Sequence, residues 1–181
     1  MKQQILFIQG GGDGGYDFDK AFVDSLQKAL GDNYDIKYPE IKSDESASDF
    51  GWNKQIGAEI SNVSSNFILV GHSFGASMIL KFLSENLIDK KIKAIFLVAT
   101  PFWSGNEKWK DGFKLREDFA QKLPKKVPIF FYHTKDDEEI PFSHFEQYRE
   151  KIKRGIFFEI KTGGHQLNND LSILAKEILK L

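Results

Sequence analysis

The chain has 181 residues, of which 41% are hydrophobic and 28% charged, as is typical of a soluble globular protein. Lys and Arg number 25 against 26 Asp and Glu, so a net charge of −1 gives no electrostatic reason to expect nucleic acid or an anionic membrane surface as a partner. Because cysteine is absent, disulfides, thiolate metal ligands and cysteine nucleophiles are excluded.

Short apolar runs alternate with helical patterns along the chain. Strands are predicted, in chain order, at residues 5–9, 34–38, 66–70, 92–99, 127–133 and 156–160. Helices are predicted at residues 17–30, 52–63, 73–87, 114–123, 142–152 and 171–181. The main loops are a glycine loop at 10–15, a polar loop at 43–49 and an aromatic-rich loop at 101–112.

Most of these strands are continuous apolar runs, which is typical of strands covered on both faces. We therefore expect an α/β fold with three layers, α/β/α, around a mostly parallel sheet of about six strands. Strand 34–38 ends at Pro39, which places it near a sheet edge. We expect one domain over residues 1–181. We also expect a cytoplasmic location, which the absence of cysteine permits. No run approaches a signal peptide or the ~20 apolar residues of a transmembrane helix.

The segment 67–77, Phe-Ile-Leu-Val-Gly-His-Ser-Phe-Gly-Ala-Ser, joins a predicted buried strand to a predicted helix. Ser73 stands at the apex of this turn, with Gly71 and Gly75 two residues to either side. Glycines at this spacing relieve the crowding of a sharp strand-to-helix turn, and the free amides of a helix N-terminus favour negative charge. The pattern predicts Ser73 as a nucleophile, the alternative being a tight turn without chemistry.

A serine hydroxyl needs an adjacent base that is itself oriented by a third group. Of the four histidines, His165 lies in a glycine-containing loop after the last predicted strand, where ligands bind in parallel sheets. His72 lies inside the turn and is predicted to point away from the chemistry, His133 closes a strand, and His144 begins a helix. The sequence therefore predicts His165 as the base.

The acidic partner is expected between the serine and the histidine in chain order. The loop after strand 127–133 offers Asp136, Asp137, Glu138 and Glu139. The chain order alone leaves the choice among these four carboxylates open.

The glycine loop at 10–15 has two interpretations. An acyl-transfer intermediate needs two amide donors, one from Phe74 after the nucleophile and one from a neighbouring loop such as this one. Alternatively, Gly10, Gly12 and Gly15 match a dinucleotide-binding fingerprint, although five glycines in six residues match many patterns. A phosphate-binding Walker loop is excluded, because Tyr16 stands where lysine is required.

Taken together, these motifs resemble the compact serine hydrolases of the retinoblastoma-binding-protein-9 type, which are reduced α/β-hydrolases. The resemblance covers essentially the whole chain. It rests on the glycine loop, Trp52, the segment Val70-Gly71-His72-Ser73-Phe74-Gly75, Thr134-Lys135-Asp136-Asp137 followed by Pro141, and Gly164-His165.

This resemblance implies a triad of Ser73, His165 and Asp137, the acid standing four residues before Pro141. It also implies Gly11 as the second amide donor, with Gly12 next. Gln9 stands where many relatives have histidine, and the chain lacks room for a large lid. Both departures leave the substrate open. The expected substrate is a small molecule with a carboxylic ester or related acyl bond, cleaved without a metal or other cofactor.

The aromatic loop at 101–112 is a candidate substrate pocket. Phe102, Trp103 and Trp109, together with Gly12, are predicted to line it, the alternative being that these rings pack on the sheet edge. We expect neither nucleic acid nor membrane insertion, and the sequence gives no indication of the oligomeric state. A non-catalytic binding protein on the same scaffold is the alternative of a different class, because a fold alone does not determine activity.

Overall fold

The structure is a computed structural model that describes residues 2–181. Its strands are β1 (Gln3–Ile8), β2 (Tyr34–Lys37), β3 (Phe67–His72), β4 (Ile92–Val98), β5 (Ile129–Thr134) and β6 (Ile156–Ile160). Within residues 2–181 these six strands form one sheet in the order β2-β1-β3-β4-β5-β6, and every neighbouring pair is parallel. The predicted α/β fold is confirmed, and β2 lies at a sheet edge as expected.

The helices are α1 (Gly15–Leu30), α2 (Trp52–Asn62), α3 (Ser73–Glu85), α4 (Phe119–Lys122), α5 (Ser143–Lys151) and α6 (Ser172–Ile178). The helix predicted over 114–123 is wrong in length, since only the four residues of α4 are helical. Short helices depend on tertiary packing, and the residues just before Phe119 are mostly polar and not buried, so little supports a longer one.

Helices cover the sheet on both faces. Helices α1 and α6 bury Phe22, Leu26 and Leu174 against one face, and α2, α3 and α5 bury residues such as Ile79 and Phe145 against the other. Each central strand contributes side chains alternately to both cores, which explains why the strands are apolar throughout. None of the helices formed by residues 2–181 combines the length and apolar character needed to traverse a bilayer.

The strand order reverses at β1. Its partner on one side is β2, reached through α1, and its partner on the other side is β3. In open parallel sheets, ligands bind in the crevice outside the carboxyl ends of the strands at such a switch point. The glycine loop after β1 and the turn after β3 both lie at this crevice.

Candidate active site

Ser73 lies at the turn from β3 into α3 with a backbone φ of 50°, a left-handed conformation that is rare for residues other than glycine. Gly71 and Gly75 are required because neighbouring groups lie too close to them to leave room for a Cβ atom. A Cβ on Gly75 would overlap the backbone carbonyl of Gln9, and one on Gly71 would lie 2.6 Å from the side chain of Ile79. The turn therefore has the strained geometry that presents a serine hydroxyl at the end of a sheet.

Asp137 and His165 meet across the loops that follow β5 and β6. His165 Nδ1 lies 3.1 and 3.0 Å from the two carboxylate oxygens of Asp137. The carboxylate also accepts hydrogen bonds from the backbone N–H groups of Glu139 and Ile140, at 2.9 and 2.8 Å. Burial opposes ionisation of Asp137, but these hydrogen bonds outweigh it and hold the pKa of the carboxyl below its ordinary value.

The imidazole of His165 is buried, but the carboxylates around it favour its protonated form. Burial lowers its pKa, whereas the hydrogen bond and charge of Asp137, with the charges of Glu139 and Asp19, raise the pKa above its ordinary value overall. Its second nitrogen, Nε2, lies 3.6 Å from a carboxylate oxygen of Glu139. Within residues 2–181, the imidazole hydrogen-bonds to Asp137 and not to the Ser73 hydroxyl.

Asp136 makes different contacts from its neighbour Asp137. Its exposed carboxylate accepts hydrogen bonds from the backbone N–H groups of Gly163 and Gly164, each at 3.0 Å, which lower its pKa. The hydroxyl of Thr134 donates to the carbonyl of Gly164 at 2.7 Å. Asp136 and Thr134 therefore fix the glycine turn that leads into His165.

The glycine loop packs directly on the turn at Ser73. A Cβ on Gly11 would lie 2.9 Å from Cβ of Phe74, so the two predicted amide donors belong to residues in close contact. The buried Gln9 side chain makes reciprocal hydrogen bonds with the backbone of Ile41, at 3.0 and 3.3 Å. These bonds tie the start of the loop to the segment that follows β2.

A cleft of about 670 Å³ opens beside Ser73. Of the predicted pocket residues, Gly12, Trp103 and Trp109 line it. Phe102 instead packs its ring against Tyr148, with the centroids 5.1 Å apart. The other aromatic residues that line the cleft, none of which the sequence interpretation assigned to a pocket, are Tyr16, Phe50, Trp52, Phe74 and Phe113.

The two tryptophans of the cleft are held differently. The indole N–H of Trp103 donates to the hydroxyl of Ser77 at 3.0 Å, and this hydroxyl donates to the carbonyl of Phe74. Trp109 is 61% exposed and meets Trp103 edge to face at 6.1 Å. Trp103 is thus a fixed wall of the cleft, and Trp109 forms its rim.

Asp19 is a residue of the site that the sequence interpretation missed. It lies on α1, is 1% exposed and contacts both the glycine loop and His72. A sequence signal was present, because Asp19 precedes Phe22, Val23 and Leu26 by three, four and seven positions, on the apolar face of the predicted helix. An acid on that face needs a buried partner.

A family model described as serine hydrolase matches residues 22–171, which is most of the chain. The chain belongs to the serine hydrolase family. The match includes Ser73, Asp137 and His165 and begins after the glycine loop.

Several solved structures resemble this serine hydrolase in fold. The ydeN gene product from B. subtilis aligns with a TM-score of 0.78 at 20% identity, covering 99% of this chain and 98% of the other. A thioesterase domain from the curacin biosynthetic pathway aligns at 0.76 and 17% identity, covering 98% and 91%. Est1E from Butyrivibrio proteoclasticus aligns at 0.69 and 17% identity, covering 99% and 87%.

Comparison of the serine hydrolase sequence with curated proteins gives no significant match. Within residues 2–181, no group of three or more His, Asp or Glu side chains is arranged to hold a metal ion.

Proposed function

We propose that this serine hydrolase cleaves carboxylic esters or related acyl bonds through a triad of Ser73, His165 and Asp137. The observation that carries the proposal is the hydrogen-bonded Asp137–His165 pair at the same sheet edge as a serine in a strained turn. A carboxylate at Nδ1 keeps the imidazole in the tautomer whose Nε2 accepts a proton. We further propose that the chain is of the compact retinoblastoma-binding-protein-9 type.

In the first half of the reaction, the Ser73 hydroxyl oxygen attacks the carbonyl carbon while His165 Nε2 takes its proton. The tetrahedral oxygen accepts hydrogen bonds from the amides of Phe74 and Gly11. The intermediate then collapses, the leaving alcohol takes the proton from His165, and an acyl group remains on Ser73. Asp137 stabilises the imidazolium throughout.

In the second half, a water molecule attacks the acyl carbon and gives its proton to His165. Collapse of the second tetrahedral intermediate breaks the bond to Ser73 and returns the proton to the serine oxygen. The products are the carboxylic acid and the free enzyme. His165 Nε2 lies 3.6 Å from a carboxylate oxygen of Glu139. The proposed proton transfer therefore requires Nε2 to approach the Ser73 hydroxyl in the substrate complex, where catalytic hydrogen bonds commonly tighten.

The aromatic wall of the cleft supports an apolar acyl group as the part of the substrate bound beside Ser73. Trp103, Trp109 and Phe113 lie on this wall, and burial of an acyl chain against them removes apolar surface from water. The proposed substrate class is therefore a small ester with an apolar acyl chain.

A fluorophosphonate probe tests the proposal, because it reacts only with an activated serine. The wild-type protein should be labelled, and Ser73→Ala should abolish the label. Ser61→Ala, which changes an exposed serine of α2, is the matched control and should be labelled normally. If the folded wild-type protein takes no label, the result contradicts the proposal and favours a non-catalytic binding protein.

A further inference from the structure

A second Asp–His pair lies beneath the proposed triad. His72 Nδ1 is 2.9 Å from both carboxylate oxygens of Asp19, and both side chains are 2% exposed. The pair joins α1 to the residue just before Ser73. The proposed hydrolytic mechanism uses neither side chain.

The pair contacts both halves of the proposed site. The Asp19 carboxylate accepts a hydrogen bond from the backbone N–H of Gly10 at 2.7 Å, at the start of the glycine loop. His72 Nε2 lies 3.2 Å from the backbone carbonyl of His165. A continuous path of hydrogen bonds thus runs from the glycine loop, through Asp19 and His72, to the backbone of the proposed base.

Each hydrogen bond of this path needs a proton on one of its two atoms. A carbonyl oxygen only accepts, so His72 Nε2 carries a proton. The carboxylate at Nδ1 is also an acceptor, so a further proton lies between Nδ1 and Asp19. Asp19 additionally accepts from Gly10 and, at 3.4 Å, from the side-chain amide of Gln166.

The packing leaves little freedom for these groups to move. A Cβ on Gly10 would lie 3.3 Å from His72 Nδ1, 3.5 Å from Cβ of Ser73 and 3.6 Å from Asp19. The ring of Phe22 meets the His72 ring edge to face at 5.1 Å. The His72 ring in turn lies 4.8 Å from the ring of His165, measured between centroids.

From these contacts we infer that Asp19 and His72 are positioning residues, which hold the glycine loop and the His165 backbone in register around Ser73. This inference rests on the proposed hydrolytic function. A misplacement of about 1 Å in either half would lower the turnover number, because proton transfer and oxyanion stabilisation both depend on geometry.

The test compares Asp19→Leu with Asp19→Asn, using kcat and KM for a short-chain p-nitrophenyl ester. Leucine removes every hydrogen bond of the carboxylate. Asparagine retains the bonds to Gly10 and His72, since its oxygen accepts from Gly10 while its amide donates to an unprotonated Nδ1 of His72, and it loses only the 3.4 Å bond from Gln166. We expect Asp19→Leu to lower kcat by about 100-fold with KM within about threefold of wild type, and Asp19→Asn to recover kcat to within about fivefold.

Leu26→Ala is the matched stability control, because Leu26 is a fully buried residue of the same helix and lies in the apolar core. It should lower the melting temperature without changing kcat. If Asp19→Leu does not fold, His72→Asn gives the same test from the other side and should lower kcat with KM retained.

Two results would overturn the inference: kcat within threefold of wild type in the folded Asp19→Leu or His72→Asn variant, or no recovery in Asp19→Asn. Either result is separable from failure of the proposed function. If the proposed function fails, the wild-type protein itself takes no fluorophosphonate label and hydrolyses no ester.

Discussion

The carboxylate of Asp137 lies 3.0 Å from His165 Nδ1, whereas the carboxylate of the preceding residue, Asp136, binds the backbone of the turn before that histidine. Two adjacent carboxylates thus contact different parts of the loop that follows β6. One contacts the imidazole and the other fixes the main chain that carries it.

This difference predicts that replacing aspartate by asparagine lowers kcat far more at position 137 than at position 136. Asp137→Asn should lower kcat by about 10³–10⁴-fold. The neutral amide favours the wrong imidazole tautomer, and it does not stabilise the imidazolium that forms during the reaction. Asp136→Asn should lower it by less than about tenfold, since an amide oxygen still accepts a backbone hydrogen bond. Steady-state ester hydrolysis measures both. A larger loss in Asp136→Asn would show that the acid has been wrongly assigned.

The pH dependence of the reaction should report the charges around His165. A general base must be neutral, and the pKa of His165 is raised, so activity should fall with decreasing pH from a midpoint above 6.5. Glu139→Gln removes one of the charges that favour the imidazolium, 3.6 Å from Nε2. The variant should therefore keep its activity to lower pH than the wild-type protein.

The measurement is the acidic limb of kcat/KM against pH. Glu150→Gln on α5 is the control, because it makes the same change at an exposed helix position. A midpoint that is unchanged in Glu139→Gln, or that moves to higher pH, would contradict the role assigned to this carboxylate.

Acyl-chain preference should depend on the rim of the cleft. Trp109→Ala removes apolar contact area, so kcat/KM for p-nitrophenyl octanoate should fall by about tenfold while that for the acetate changes little. Leu179→Ala is the control, because Leu179 is 57% exposed, close to the 61% of Trp109, and directly follows α6, outside the cleft. Equal losses on both esters in Trp109→Ala would argue against an acyl-binding wall.

The sequence predicts the parallel sheet and the turn at Ser73 well because both depend on local patterns. Continuous apolar runs specify strands buried on two faces, and two glycines two residues from Ser73 specify a crowded turn. The structure confirms the fold, and it places the Asp137 carboxylate 3.0 Å from His165 Nδ1. The catalytic roles of these residues stay predictions.

Features that depend on long-range packing could not be predicted in the same way. The ring of Phe102 faces Tyr148 on α5, a contact that no local pattern specifies. His72 was expected to point away from the chemistry, yet its ring reaches the His165 backbone, 93 positions along the chain. Its partner Asp19 is 53 positions away in the other direction, so only the assembled sheet brings the three together.

These sequence separations carry a consequence for biosynthesis. A chain still emerging from the ribosome, with β6 and the following loop unmade, would contain the whole turn at Ser73 but not the proposed base, His165. Ordering such distant segments has a loop-closure cost that is recovered only when the last strand docks. The proposed reactivity of Ser73 should therefore arise late, so covalent labelling of this serine would report complete folding.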